Sequence, residues 1–229
     1  KNNLKITILL FEGQNVSFSN NQIEIIKFSN HYKNPIILII WELFFIKSFL
    51  NQLKTDIYFC PGGLISASLK STDFKKVTMF RNMIPFDEYQ KKKWPLGYMR
   101  IRNKLLSILL LNSMEIADLV IFISKYGKEV IINELKGNIK NYVLINHGVS
   151  KIFREKYIEP PASIKNLFNE DYILYPSIID VYKSQKEVIE SYNILNKKKI
   201  NLPKLILVGQ KYGDYSKKID DLIIEYKLS

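Results

Sequence analysis

Short apolar runs alternate with longer amphipathic segments along this chain, and this alternation restricts the fold more than any other feature. The runs are nearly continuous and rich in β-branched and aromatic residues, which is typical of strands buried on both faces of a sheet. We predict strands at 4–11, 35–40, 56–61, 76–80, 118–123, 142–146, 172–176 and 204–209. Helical spacing predicts helices at 42–54, 98–117, 125–136, 183–196 and 216–228. Repeated strand–helix–strand units imply a parallel sheet wrapped by helices, with ligands at the carboxyl ends of the strands.

Residues 149–171 interrupt the alternation and contain two adjacent prolines, Pro160 and Pro161. We therefore place a domain boundary in this segment. Residues 1–155 are expected to form one α/β domain and residues 156–229 the start of a second, because so short a stretch cannot complete a doubly wound domain.

The composition excludes disordered and collagen-like proteins. Of the 229 residues, 47% are apolar and 24% are charged, as in an ordinary globular protein. The single cysteine, Cys60, cannot close an intrachain disulfide, so a cytoplasmic location is favoured.

The net charge of +12 is concentrated in one part of the chain. Residues 70–104 contain ten basic and three acidic residues, with Trp94, Tyr98 and Met99 among them. An anionic membrane surface would attract such a patch, and a nucleic acid is the weaker alternative because no nucleic-acid-binding motif accompanies it. The patch is also compatible with a solvated basic face without a partner.

Polar residues follow two of the predicted strands. Arg81 and Asn82 come directly after 76–80, where a guanidinium can hold a carboxylate or phosphate and a carboxamide can bond sugar hydroxyls. Alternatively, Arg81 pairs with Asp87 and Asn82 caps the loop. His147 follows 142–146 and serves either proton transfer or hydroxyl recognition, or is a structural hydrogen-bonding group.

Two further strand ends carry small residues. Ser124 precedes a predicted helix and is expected to cap its first turn. Gly62 and Gly63 follow the strand 56–61 and predict a tight turn, which either has no further role or also shapes a ligand cleft.

Lys183 stands where a helix is predicted to begin after the strand 172–176. A cation beside the amide end of a helix forms an anion site that suits a diphosphate, whereas the alternative is one more solvated lysine. The chain has no P-loop, GxGxxG, HExxH, CxxC or Asp-x-Asp motif. Phosphate binding would therefore depend on helix ends and cations, without a carboxylate-bound metal.

Four ordered stretches carry a resemblance to a known family. They are VTMFRNMIPFDEYQ, EIADLVIFISKYGKEVI, VLINHGVSKIF, and YILYPSIIDVYKSQKEVIESYNIL followed by PKLILVG. Together they resemble the family 4 type glycosyltransferases of GT-B fold. The resemblance implies an α/β fold with two Rossmann-like domains, the second truncated, and a first domain that lacks its first strand. It implies transfer of a sugar from a nucleotide-diphosphate sugar to an acceptor, with retention and with neither a metal nor another cofactor.

The resemblance also suggests which residues form the site. It places Lys183 at the donor diphosphate, and we assign Ser177 and Gly209, at neighbouring strand ends, to the same donor-binding set. It places Arg81 and Asn82 near the acceptor or catalytic position. We add His147 to this catalytic set.

The sequence departs from the family pattern at several positions. Ser177 stands where the family usually has glycine, Ile178 where many members have a second phosphate-binding arginine, and His147 where asparagine is usual. The family's paired glutamates would lie beyond Ser229, so we expect the chain to be inactive alone.

These observations predict a cytoplasmic hexosyltransferase of cell-surface polysaccharide or lipopolysaccharide synthesis. Its partners would be a nucleotide sugar, a saccharide or lipid-linked acceptor and the inner face of an anionic membrane, with no nucleic acid. The alternatives are a basic nucleic-acid-binding protein and a non-catalytic interaction module that keeps the fold.

Overall fold

The computed structural model describes residues 4–16, 22–94, 96–154, 162, 165, 170–211 and 213–228. The chain divides into two compact units, both interrupted in sequence. The first unit combines Lys1–Met83 with Leu105–His147, and the second combines Ile84–Lys104 with Gly148–Ser229. The boundary predicted between residues 155 and 156 lies outside the described residues and stays a prediction.

The described part of the chain contains strands and helices in the following order: β1 (Ile6–Phe11), β2 (Ile23–Phe28), α1 (Pro35–Phe44), α2 (Ile46–Gln52), β3 (Ile57–Cys60), β4 (Lys75–Phe80), α3 (Glu88–Lys93), α4 (Tyr98–Ile116), β5 (Leu119–Phe122), α5 (Lys125–Glu134), β6 (Tyr142–Leu144), β7 (Tyr172–Pro176), α6 (Gln185–Lys197), β8 (Lys204–Val208) and α7 (Gly213–Glu225). Strands β3, β4, β5 and β6 form one parallel sheet in that order. Strands β1 and β2 form a parallel pair, as do β7 and β8.

One predicted strand is wrong. Residues 35–40 begin helix α1 instead, because Pro35 occupies the first helical turn and Asn34 caps it. The Asn34 side chain accepts a hydrogen bond from the N–H of Ile36 at 3.0 Å. An apolar run of this length is compatible with either element, and here the cap and the proline at its start select a helix.

Two elements were not predicted from the sequence. Strand β2 mixes charged with apolar residues and pairs in register with β1, so that Ile6 faces Ile23. The six-residue helix α3 has no buried residue and carries three consecutive lysines in its last turn. Neither segment has the apolar periodicity that would identify it.

The core of the first unit lies around the middle of its four-stranded sheet. Thr78, Val120 and Phe122 on β4 and β5 are completely buried. At the amino ends of these strands, the buried Lys76 pairs with Asp118 at 3.3 Å. The carboxylate also accepts the backbone N–H of Lys76 at 2.9 Å, which ties β4 to the start of β5.

The core of the second unit is small. Ile179, Ile189 and Ile219 form its buried centre, and partly buried residues of β8 and α7, among them Leu207 and Tyr215, pack against them. This cluster fixes α6 and α7 beside the β7–β8 pair.

Among the described helices, none is by itself long and apolar enough to cross a membrane. Helices α1 and α2, bent by 61° at their junction, meet the length and composition criteria only when they are taken together.

Candidate functional site

The sequence-predicted catalytic residues lie at one edge of the sheet in the first unit. Arg81 directly follows β4, and His147 lies shortly after β6. Because β4, β5 and β6 are parallel neighbours, their carboxyl ends share an edge. Arg81 and His147 are exposed there and Asn82 is partly buried. This edge therefore presents a cation, a carboxamide and an imidazole.

The carboxylate of Asp87, considered above as a partner for Arg81, has a local role in the second unit. It is the N-cap of α3 and accepts the N–H of Gln90 at 3.0 Å. The side chain thus satisfies an amide that the first helical turn would otherwise leave without a partner.

The predicted cap at Ser124 is confirmed. Its hydroxyl oxygen accepts the N–H of Gly127 at 3.1 Å in the first turn of α5. Glycine suits position 127, because an added Cβ would lie 3.1 Å from that oxygen and 3.3 Å from the ring of Phe80.

The predicted turn after β3 is also present, and its two glycines differ. Gly63 has a φ of +93°, and an added Cβ would lie 3.0 Å from the Leu110 side chain and 3.3 Å from the carbonyl oxygen of Met79. Around Gly62, no described atom lies within 4 Å of such a Cβ. Packing and backbone conformation therefore account for Gly63 without a ligand.

In the second unit, the ends of β7 and β8 approach each other closely. Ser177 donates its N–H to the carbonyl of Val208 at 2.8 Å, and Ile179 donates to Gln210 at 2.9 Å. A Cβ on Gly209 would lie only 1.9 Å from the carbonyl oxygen of Ser177. Position 209 therefore accepts only glycine, and the assignment of Ser177 and Gly209 to a donor site stays a prediction.

The start of α6 differs in detail from the prediction. Residues Val181–Lys183 form a single 3-10 turn, and Ser184 follows in the left-handed conformation with a φ of +61°. Helix α6 then begins at Gln185, two residues later than predicted, and the Ser184 side chain makes no capping hydrogen bond. A non-glycine residue held in this conformation is costly and persists only where its surroundings enforce it.

Lys183 is held at this point by its backbone. The hydroxyl of Tyr175 on β7 donates to the Lys183 carbonyl, and the Lys183 N–H donates to Asp180 at 2.9 Å. The side chain is partly buried, with its ammonium 4.9 Å from the ring centre of Tyr182. Lys183 thus lies two residues before α6 rather than in its first turn, where the sequence predicted it.

The structure adds a second cation that the sequence did not identify. Lys93, the last residue of α3, places its ammonium 2.5 Å from a carboxylate oxygen of Glu187 and 3.2 Å from the hydroxyl of Ser184. Burial works against the charged ammonium, but the contact with Glu187 outweighs it and raises the pKa of Lys93. Burial would likewise raise the pKa of Glu187, and the hydrogen bond from Lys93 lowers it overall.

Helix α3 is fixed against the start of α6 by a second contact. The buried Trp94 lies 6.3 Å, ring to ring, from Tyr182. In the sequence, the only sign of this contact was a tryptophan that follows three lysines. Lys93 and Glu187 are 94 residues apart, so no local pattern could predict that they pair. The ammonium of Lys93 thus contacts Ser184 and Glu187 at the start of α6, and the amide end of a helix favours an anion.

The described residues contain no group of three or more histidine, cysteine, aspartate or glutamate side chains that could hold a metal ion. The predicted absence of a metal and of other cofactors stays a prediction.

No protein-family model and no curated protein sequence matches this chain. Solved structures that are similar in fold include the following two. A sucrose-phosphate synthase from Thermosynechococcus elongatus covers 96% of the chain at 14% identity, with a TM-score of 0.63. A glycosyltransferase from Rickettsia africae covers 98% at 16% identity, with a TM-score of 0.56. This chain spans 58% and 66% of their respective lengths. The predicted fold class, α/β with parallel sheets and similar to GT-B glycosyltransferases, is confirmed.

Proposed function

We propose that this chain is part of a glycosyltransferase that moves a sugar from a nucleotide-diphosphate sugar to an acceptor. One observation carries the proposal. In a chain with this fold, the partly buried Lys183 stands directly before the amide end of a helix that follows a parallel strand. Both similar structures bear the names of sugar-transferring enzymes, which agrees with the proposal.

The chemistry required of this site is the stabilisation of a leaving diphosphate. During transfer, the bond between the anomeric carbon and the diphosphate oxygen breaks, and its electron pair remains on the diphosphate. Fixed cations and helix amides stabilise negative charge of this kind without rearrangement. Lys183 supplies the charge. Ser177 and Gly209 are proposed to bring the strand-end backbone close to the donor.

We assign the acceptor to residues of the first unit. Arg81, Asn82 and His147 provide groups that bind hydroxyl or anionic groups and, for the imidazole, accept a proton. The acceptor oxygen forms the new bond to the anomeric carbon and releases its proton. We further propose the family 4 type, with retention, and a cytoplasmic role in the synthesis of cell-surface polysaccharide or lipopolysaccharide.

Glu187 has a specific place in this proposal. Its carboxylate already pairs with Lys93 beside the first turn of α6. For a diphosphate bound there, Lys93 is already paired with a carboxylate. The ammonium of Lys183 lies over the aromatic ring of Tyr182 instead. Lys183 is therefore the cation that we expect to contribute most to donor binding.

The test is the substitution Lys183→Ala in protein made from the complete reading frame. Losing one charge-assisted contact to the leaving group should lower turnover by about a hundredfold. Sugar transfer is measured with a panel of nucleotide sugars, and nucleoside diphosphate binding by calorimetry. Lys197→Ala is the control, because this exposed lysine is the last residue of α6 and lies far from its amide end.

The outcomes separate the alternatives. A turnover unchanged by Lys183→Ala rejects the assignment of this residue. Wild-type protein that binds nucleoside diphosphates but transfers no sugar to any acceptor supports a non-catalytic module instead.

A further inference from the structure

The turn between α3 and α4 in the second unit exposes large apolar side chains. Leu96 is 86% exposed, Tyr98 75% and Ile101 70%. Tyr98 and Ile101 are three residues apart on α4 and therefore share one face of the helix. We call Leu96, Tyr98 and Ile101 the apolar tip. Exposed apolar residues scattered singly are ordinary, but three together on one turn indicate a binding surface.

The charge around the tip has a single sign. Residues 91–104, with the sequence KKKWPLGYMRIRNK, contain six basic residues and no acidic one. Lys92, Arg102 and Lys104 are exposed. The tip therefore combines aliphatic and aromatic side chains with a ring of cations.

Two further cations of this segment, Arg100 and Lys93, have partners within the second unit. Arg100 donates from Nε to the carbonyl of Trp94 at 2.8 Å and from Nη2 to that of Lys92 at 3.3 Å. These contacts tie Arg100 of α4 to the last residues of α3 and to Trp94. Lys93 is engaged by Glu187.

The structure corrects one detail of the basic patch predicted from the sequence. Trp94 is only 8% exposed and packs near Tyr182, so it is unavailable to an external partner. Leu96 and Ile101, which the sequence did not single out, take its place at the surface.

We propose that the apolar tip inserts into the interface of an anionic lipid bilayer while Lys92, Arg102 and Lys104 contact the headgroups. Bilayers attract cations electrostatically and also accept apolar side chains at the boundary of the acyl chains. A nucleic acid would use the cations and stack on Tyr98, but it offers no comparable environment to Leu96 and Ile101. The inference does not rest on the proposed transfer reaction.

Flotation with phosphatidylcholine vesicles, with and without phosphatidylglycerol, tests this surface. The wild-type protein should bind only the anionic vesicles, and less strongly as salt is added. The double variant Leu96→Ser, Ile101→Ser should bind at least about tenfold more weakly, because two apolar side chains no longer leave water. Arg102→Glu should weaken binding about fivefold or more, because it replaces one cation of this surface with an anion.

Matched controls come from α7 of the same unit. Ile224 is as exposed as Ile101, at 70%, so Ile224→Ser should leave vesicle binding unchanged. Lys218→Glu, at an exposed lysine of α7, controls for the change in net charge. Circular dichroism establishes that each variant is folded.

Three results would overturn the proposal. The first is no binding of wild-type protein to anionic vesicles at low salt. The second is an equal loss of binding in the tip and control variants. The third is vesicle binding that the tip variants leave intact. If only random oligonucleotides bind, with the cation variants affected and Leu96→Ser, Ile101→Ser unaffected, the surface is a nucleic-acid site.

Discussion

The two units build the carboxyl ends of their strands in different ways. In the first unit, Arg81 and His147 extend exposed side chains from the carboxyl ends of β4 and β6, which lie on either side of β5. In the second unit, the backbone itself is constrained, by the contact of Gly209 with Ser177 and by the left-handed Ser184. A surface made of side chains can change its specificity by substitution at little cost in stability. A surface made of closely packed backbone cannot, because each substitution there also affects the fold.

The largest expected effect distinguishes two glycines at strand ends. Gly209→Ala should lower the free energy of unfolding by about 3 kcal/mol or more, because its Cβ would overlap the Ser177 carbonyl oxygen and force the strand ends apart. Gly62 follows β3 in the first unit. The substitution Gly62→Ala should change the free energy of unfolding little, because no described atom lies near the added methyl group. Urea denaturation measures both. Similar midpoints for the two variants would contradict the difference between the units.

A second prediction compares one ion pair from each unit. Asp118→Asn would leave the Lys76 ammonium without its carboxylate, and the Lys76 side chain is only 4% exposed. We expect a loss of about 3 kcal/mol of stability. Glu187→Gln should cost about 1 kcal/mol or less, because the Glu187 side chain is 44% exposed and water screens its charge. Equal losses in the two variants would reject this ranking.

The pH dependence of stability tests whether Asp118 stabilises the first unit through its charge. Burial would raise the pKa of Asp118, but hydrogen bonds from the Lys76 backbone and from the Lys140 and Lys76 side chains lower it below the ordinary 3.8. A depressed carboxyl pKa stabilises the fold above the unfolded-state value, and this contribution is lost as pH falls through the folded-state value. The stability gap between wild type and Asp118→Asn should therefore narrow in acid. A gap that stays constant down to acid unfolding would show that Asp118 does not act through its charge.

The smallest effect on stability is expected at the sheet edge of the first unit. Arg81→Ala and His147→Ala should each change the free energy of unfolding by no more than about 0.5 kcal/mol, because both side chains are exposed. If they bind the acceptor, each should still lower transfer by about tenfold or more. Thermal unfolding and sugar transfer are measured for both variants. Lys70→Ala, at an exposed lysine of the first unit, is the control. A large loss of stability in either variant would show that this edge is built like that of the second unit.

Sequence reasoning predicted the parts of this molecule that depend on local patterns. Seven of the eight predicted strands are present, because their apolar runs are short and bounded by polar residues. The strand predicted at 35–40 is wrong because periodicity alone does not distinguish a buried strand from a helix. The capping side chain of Asn34 favours the helix.

At the candidate site, too, local patterns predicted some residues, whereas residues placed by tertiary contacts were not predicted. Lys183 could be placed at the start of α6 because helix and strand signals surround it. Lys93 could not, because its contact with Glu187 depends on tertiary structure. The close approach of Gly209 to Ser177 is also invisible to a pattern, since it depends on how two strand ends separated by a whole helix come together.

The Lys93–Glu187 pair also has a consequence for the order of events during synthesis on a ribosome. Its partners are 94 residues apart, and the intervening residues include Leu105–His147 of the first unit. At an elongation rate of about 5–20 residues per second, Lys93 is added to the chain roughly 5–20 s before Glu187. Until Glu187 is made, Lys93 lacks its carboxylate partner, so the contact between α3 and α6 can form only after all of the first unit has been synthesised.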